Sequence, residues 1–265
     1  MQDCINDTAG RKNPAMKRPI SMYLWMIAGI CLLLLSWWGV SLVFDEIIIA
    51  SPVKTISSLG AMMLTGPFWK SVGITFQRFA LGLFFGSLTG FIFGLAAGLN
   101  EAVRWMLEPF RWILMTVPPA VLVVVSMIWF GMGSVQTIFV TGLLIMPIIY
   151  VNTVAGIDAV DQHLVEMAGI YRAPKAMQIR DLYMPGVGGH VLAGLSLSAG
   201  MGIRIVVLSE LLGAYSGIGY EFALARTNLD TPVLFAWVLI CLVLGGGLEV
   251  CVLIPMKNHI MKWQG

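Results

Sequence analysis

Long uncharged stretches dominate the chain. Residues 19–44, 79–100 and 112–157 carry no Asp, Glu, Lys or Arg, and further apolar runs cover 182–203, continuing past Arg204, and 231–248, continuing past Glu249. A helix that crosses a bilayer needs about 20 mostly apolar residues. The run 112–157 therefore has the length for two crossings, with a turn expected at "FGMGS", residues 130–134. The pattern predicts about six transmembrane helices and an all-α, polytopic membrane protein. The expected organisation is a tail at 1–18, a first span at 19–44, an outer-face segment at 45–70, a five-helix core at 71–256 that includes a cytoplasmic loop at 158–187, and a tail at 257–265.

Composition agrees with this reading. Of 265 residues 58% are apolar and only 11% charged, with mean hydropathy +0.86, whereas soluble domains carry roughly 25% charged residues. Arg11, Lys12, Lys17 and Arg18 precede the first apolar run, which is too long for a signal-peptide core and reads as a retained helix. A basic flank stays in the cytoplasm. Threading six helices from there puts eleven Lys/Arg inside, three outside and two, Arg78 and Arg204, within the membrane, so both tails are expected to be cytoplasmic.

That threading also places "EMAGIYRAPKAMQIRDLYMP", residues 166–185, in the cytoplasm. Asp161 suits a helix N-cap, after which Leu164, Ala168 and Tyr171 share one face while Gln162, Glu166 and Gly169 lie on others. Pro174 cannot continue that helix but is suited to start another. Two short helices broken near 172–174 are expected, the second ended by Pro185 and the glycines at 186, 188 and 189.

This stretch resembles the EAA loop of ABC importer permeases, E-A-A-x3-G-x9-I-x-L-P. Glu166, Ala168, Leu182, Met184 and Pro185 fall in register with it, Met167 stands at the first Ala and Arg172 at the turn Gly. "SPVKTISSL" (51–59), "VPPAVLVVVSMIWFGMGS" (117–134) and "SELLGAYSGIGYEFALAR" (209–226) are similar to permeases of the sulfonate, taurine and nitrate group. The resemblance implies an importer subunit of the bacterial cytoplasmic (inner) membrane carrying a small solute such as a sulfonate, taurine or nitrate. It further implies a cytoplasmic ATPase pair holding the ATP and Mg, an extracytoplasmic substrate-binding protein, a second copy of this chain and surrounding lipid as partners. Glu166, Met167, Ala168, Gly169, Tyr171, Arg172 and Pro174 would then couple to the ATPase, while Arg204, Glu210, Ser216 and Tyr220 would belong to the substrate path or its outer gate.

The chain itself offers no ATP chemistry, since a Walker sequence needs Gly-Lys and that dipeptide is absent. Cys4, Cys31, Cys241 and Cys251 lack metal spacing, and the scattered His163, His190 and His259 do not suggest a metal site. No bound cofactor is expected, and the basic residues follow topology rather than nucleic-acid binding. Gly82, Gly86, Gly90, Gly94 and Gly98 recur every four residues, a ridge that lets another helix approach closely. Gly245, Gly246 and Gly247 suggest a second close approach.

Arg78, Arg204, Glu210 and Glu249 are costly in hydrocarbon and should face protein or water. Arg78 and Glu249 are expected near opposite interfaces. Arg204 precedes Glu210 by nearly two helical turns, so its partner is Glu249, a backbone carbonyl, water or an anionic substrate. Two other classes stand beside this reading. An ion-coupled secondary transporter would show repeated halves, and a membrane enzyme a polar catalytic cluster; neither is visible.

Overall fold

A computed structural model describes residues 20–171, 174 and 177–248. Its helices are α1 (Ile20–Val43), α2 (Pro52–Met63), α3 (Gly66–Leu99), α4 (Glu101–Thr116), α5 (Pro119–Phe130), α6 (Ser134–Asp158), α7 (Gln162–Ile170), a π-helical segment (Gln178–Tyr183), α8 (Met184–Gly213), α9 (Ile218–Thr227) and α10 (Thr231–Leu248). Four continuous helices are long and apolar enough to cross a membrane: α1, α3, α6 and the π-helical segment running on into α8. The α4–α5 pair passes the same test only when taken together, and α10 is apolar but shorter within the described residues.

The α4–α5 pair corrects the expectation for 112–157. Its first half is not one straight crossing, because α4 and α5 meet at 105°. Pro118 forces the break. It offers no N–H to an extended helix and drives Val117 out of the helical region, to φ −68° and ψ 129°. The second turn falls within "FGMGS", where Gly131 at φ +70° and Gly133 at φ +139° take backbone conformations that side chains disfavour.

The centre of the fold is the α3–α6 seam, and the glycine series lies along it. A Cβ on Gly86 would come within 2.6 Å of the Gly142 carbonyl oxygen, and one on Gly90 within 2.5 Å of the Met146 carbonyl oxygen and 2.9 Å of Ile149 Cβ. At Gly94 it would meet Thr153 Cβ at 2.6 Å, at Gly82 Thr141 Cβ at 2.7 Å, and at Gly98 the Ile157 side chain. The missing side chains let two backbones touch, which is how helices gain dispersion contact in lipid.

A second seam joins α8 to its neighbours. Gly194 abuts Asn152 of α6, Gly202 abuts Phe79 of α3 and Ile145 of α6, and Gly213 abuts Met127 and Gln136. By contrast, Cβ atoms on Gly245, Gly246 and Gly247 would meet nothing within 4 Å, so these glycines do not mark a close approach within the described chain. They sit on a helix whose packed face is built elsewhere, from Trp237 and Ile240 against Phe68, Ile218 and Ala225.

Two peripheral elements attach to this core. Helix α1 is uniformly apolar and exposed along its membrane-length span, tied down near its end where Trp37 Nε1 donates to the Ala50 carbonyl at 3.1 Å and stacks on Phe235. In the 45–70 segment, Ser51 caps α2 by accepting from the Lys54 N–H, with Pro52 in the first turn where its missing N–H costs nothing.

The loop after α6 begins as its residues imply. Asp161 caps α7 by accepting the His163 N–H at 2.9 Å, and the Pro174 carbonyl accepts from Met177 and Gln178 as the next helix starts. Pro185, however, does not end that helix. The chain passes through the π-helical segment directly into α8, and the proline lies in the first α-helical turn behind the wider π turn, where its ring and absent N–H are tolerated.

Candidate functional site

Two groups of residues carry the functional argument, at opposite ends of α8. The first is α7. Its Glu166 and Gly169 are exposed and its Ala168 half-buried, and Pro174 is exposed beyond it. Met167 and Tyr171 stand out with Leu164, and the i, i+3, i+7 spacing puts these three on one face. Tyr171 is 79% exposed and Ile170 80%. Ile170 was not singled out from sequence, although its place three residues after Met167 carries the signal. Arg172 lies outside the described residues. The knob rests on the π-helical segment, so a load on α7 passes straight to the start of α8.

The second group is a buried ion pair. Arg78 of α3 is 3% exposed and Glu210 of α8 is 0% exposed. Arg78 Nη1 donates to Glu210 Oε1 at 2.7 Å and to the Ser216 carbonyl at 2.6 Å; Nε and Nη2 both donate to Ser134 Oγ, at 3.1 and 3.0 Å, and Nη2 also donates to Ser216 Oγ at 2.8 Å. Glu210 accepts in addition from Thr75 Oγ1 at 2.8 Å and from the Gly219 N–H at 3.0 Å. Thr75 Oγ1 in turn accepts the Ile218 N–H at 2.8 Å. A buried charge is tolerated when paired and fully hydrogen-bonded, and here every element of the cage supplies a partner: α3, the start of α6, α8, the 214–217 loop and α9.

Backbone shape serves the same end. Gly217 sits at φ +101°, and a Cβ there would collide with the Glu210 carboxylate. Beside the pair, Gln136 Nε2 donates to Ser209 Oγ at 3.0 Å, and the Gly133 N–H donates to the Gly213 carbonyl at 2.8 Å, so the turn at 130–134 and the loop after α8 are bound together.

Glu210 and Ser216 are thus brought together around Arg78, which is buried in protein 12 residues into α3, about 18 Å along the axis from Gly66. Tyr220 is half-buried nearby in sequence, on α9. Arg204 is not in the cage. It is exposed on α8, and among the described residues it has no ion-pair or hydrogen-bond partner; Glu249 lies outside them.

An all-helical chain with several membrane-length helices, a protruding short helix after α6 and a braced loop at the far end of α8 defines the membrane-domain subunit of a transporter. A family model, the binding-protein-dependent transport system inner membrane component, matches residues 82–254, and the chain belongs to that family. It is the permease subunit of an ABC importer, a multi-pass inner-membrane protein. It is 30% identical to the aliphatic sulfonates transport permease SsuC of Bacillus subtilis, across 98% of this chain and 94% of that one. It is 26% identical to the taurine transport permease TauC of Escherichia coli, across 100% and 99%. Among solved structures it is similar to the methionine ABC transporter MetNI in an inward-facing conformation, with TM-score 0.61 and 14% identity over 75% of this chain and 99% of that one.

Proposed function

We propose that this permease carries a small anionic or zwitterionic solute, of the sulfonate, taurine or nitrate kind, handed over by an extracytoplasmic binding protein. Two copies pair so that two α7 knobs meet two grooves on a cytoplasmic ATPase pair, which binds the ATP and Mg. Both termini and α7 face the cytoplasm, as the positive-inside bias requires. The observation that carries this reading is α7 itself: Met167 and Tyr171 stand exposed beside the charge of Glu166, the anatomy of a packed interface with a polar rim. The names of SsuC and TauC support the substrate class.

The test is reconstitution. The permease is co-expressed with the ATPase encoded beside it, purified as a complex and placed in proteoliposomes with its binding protein. ATP-dependent uptake of labelled taurine, an alkanesulfonate or nitrate is the expected result. Uptake driven by a proton or sodium gradient without the ATPase would overturn it in favour of a secondary transporter.

A further inference from the structure

A cavity of about 870 Å³ opens beside the first turns of α4, away from both groups described above. Its walls are the last turn of α3, one stripe of α4 (Glu101, Arg104, Trp105, Glu108 and Arg111) and the end of α6 from Tyr150 to Asp158. The α4 residues recur at three- and four-residue steps, so they form one face. Arg104 forks onto Asp158 with bonds of 3.1 and 2.9 Å, and Arg111 pairs with Glu108 on its own helix. Each guanidinium carries five donors, so both retain hydrogens free for a ligand.

The wall also contains a buried group without a partner. Tyr150 is 4% exposed, and its hydroxyl has no hydrogen-bond partner among the described residues. It lines the same cavity as Arg104, Glu108 and Arg111. Buried hydroxyls are rarely left unpaired, so this one calls for an acceptor or donor from beyond the described residues. Three carboxylates face two guanidinium groups, an excess of one negative charge. A wholly anionic ligand would meet that excess unfavourably, whereas a ligand with anionic oxygens for the arginines and Tyr150, and an ammonium for Glu101, matches both signs.

The exposed surface of α4 says where such a ligand comes from. Trp105 lines the cavity and is itself largely exposed, and Met106, Phe110 and Trp112 are exposed around the same helix. A helix with one charged stripe and exposed tryptophans settles at the membrane interface, with its polar groups at headgroup depth. The geometry points to a binding site for the headgroup of a zwitterionic phospholipid, phosphate toward Arg104, Arg111 and Tyr150, ammonium toward Glu101. In the orientation proposed above, on which this inference rests, the lipid belongs to the cytoplasmic leaflet. Seated there, it braces Asp158, the last residue of α6 before the turn into α7.

The test counts lipids. The permease–ATPase complex is purified in mild detergent, and retained phospholipid is measured by native mass spectrometry for wild type, Tyr150→Phe and Arg104→Gln. Phosphatidylethanolamine should be retained in preference to phosphatidylglycerol, and Tyr150→Phe should reduce its retention about fivefold, the equivalent of one ordinary hydrogen bond. Tyr150→Phe removes a hydroxyl that no group among the described residues satisfies, so it is expected to fold normally. Equal retention in wild type and both variants, or a preference for phosphatidylglycerol, overturns the site. Retention by the permease alone but not by the complex would give the cleft to the ATPase and overturns it as well. Soluble O-phosphoethanolamine, added to delipidated complex, should raise its thermal midpoint less than the lipid does; an equal rise would assign a free phosphate ester instead. Orientation is read separately, by labelling Glu166→Cys with a membrane-impermeant thiol reagent in intact cells, in a chain whose four native cysteines are replaced. Labelling from outside overturns the leaflet while the lipid count still reports on the cleft.

Discussion

Arg78 and Glu210 lie 132 residues apart in the chain and 2.7 Å apart in the fold, and together they tie α3, α8 and the 214–217 loop into one buried cage. Removing one partner strands the other charge, which costs about 3–5 kcal/mol in a buried pair. Arg78→Met or Glu210→Leu alone should therefore lower the thermal midpoint in detergent sharply and reduce yield. Arg78→Met combined with Glu210→Leu should recover a large part of that loss, because no charge is left unpaired. Additive losses in the double variant would show that the two residues act separately.

The α3–α6 seam is tested at Gly90. A methyl there must displace the Met146 carbonyl or Ile149, neither of which is a flexible chain end. Gly90→Ala should cost about 1–3 kcal/mol by overpacking, and Gly90→Leu more, with lower complex yield on size-exclusion chromatography. Gly246→Ala is the control, since its Cβ would enter open space. Equal behaviour of Gly90→Leu and wild type would mean the two helices do not pack as described.

Helix α7 is tested by charge and by size. Glu166→Lys should insert normally yet lower uptake and binding-protein-stimulated ATP hydrolysis together. Tyr171→Ala removes an exposed aromatic anchor, and anchors of this kind contribute about 2 kcal/mol or more to a contact, so ATPase affinity should fall roughly thirtyfold. Full coupled transport in both variants would remove α7 from the coupling surface.

Arg204→Gln should leave yield and basal ATP hydrolysis near wild type, because Arg204 is exposed and holds no described partner. An exposed charge contributes about 1 kcal/mol or less to a contact, so uptake of an anionic substrate should slow by no more than about fivefold. A loss of yield that is recovered in Arg204→Gln with Glu249→Gln would instead reveal a structural pair.

Much of this fold was legible because membrane helices announce themselves by what they lack. The uncharged runs locate α1, α3, α6, α8 and α10, and a four-residue glycine period needs no partner's sequence to be seen. The bend at Pro118 was present in the letters "VPP", but an apolar run long enough for two crossings masked it. The second seam escaped because Gly194, Gly202 and Gly213 are unevenly spaced and earn meaning only from the side chains opposite them. The Arg78–Glu210 pairing had no local signal: each residue is a single charge in an apolar helix, and only packing assigns the partner. In α7, residue spacing and the capping aspartate were enough to place Leu164 and Tyr171 on one face, whereas the exposure of Met167 beside them, with Ala168 half-buried, came only from the packing.

The unbroken passage through Pro185 has a mechanical consequence. From Gln178 to Gly213 the chain is one helical rod of 36 residues, about 54 Å long. A tilt of about 5° around its midpoint carries each end through roughly 2 Å, more than a hydrogen bond of 2.7 Å at Glu210 can stretch. The far end of the rod cannot swing while α3 stands still. Because α3 is also locked to α6 through bare backbone, any leverage applied at the Gln178 end would turn the three helices as a single block, with the 214–217 loop riding on it.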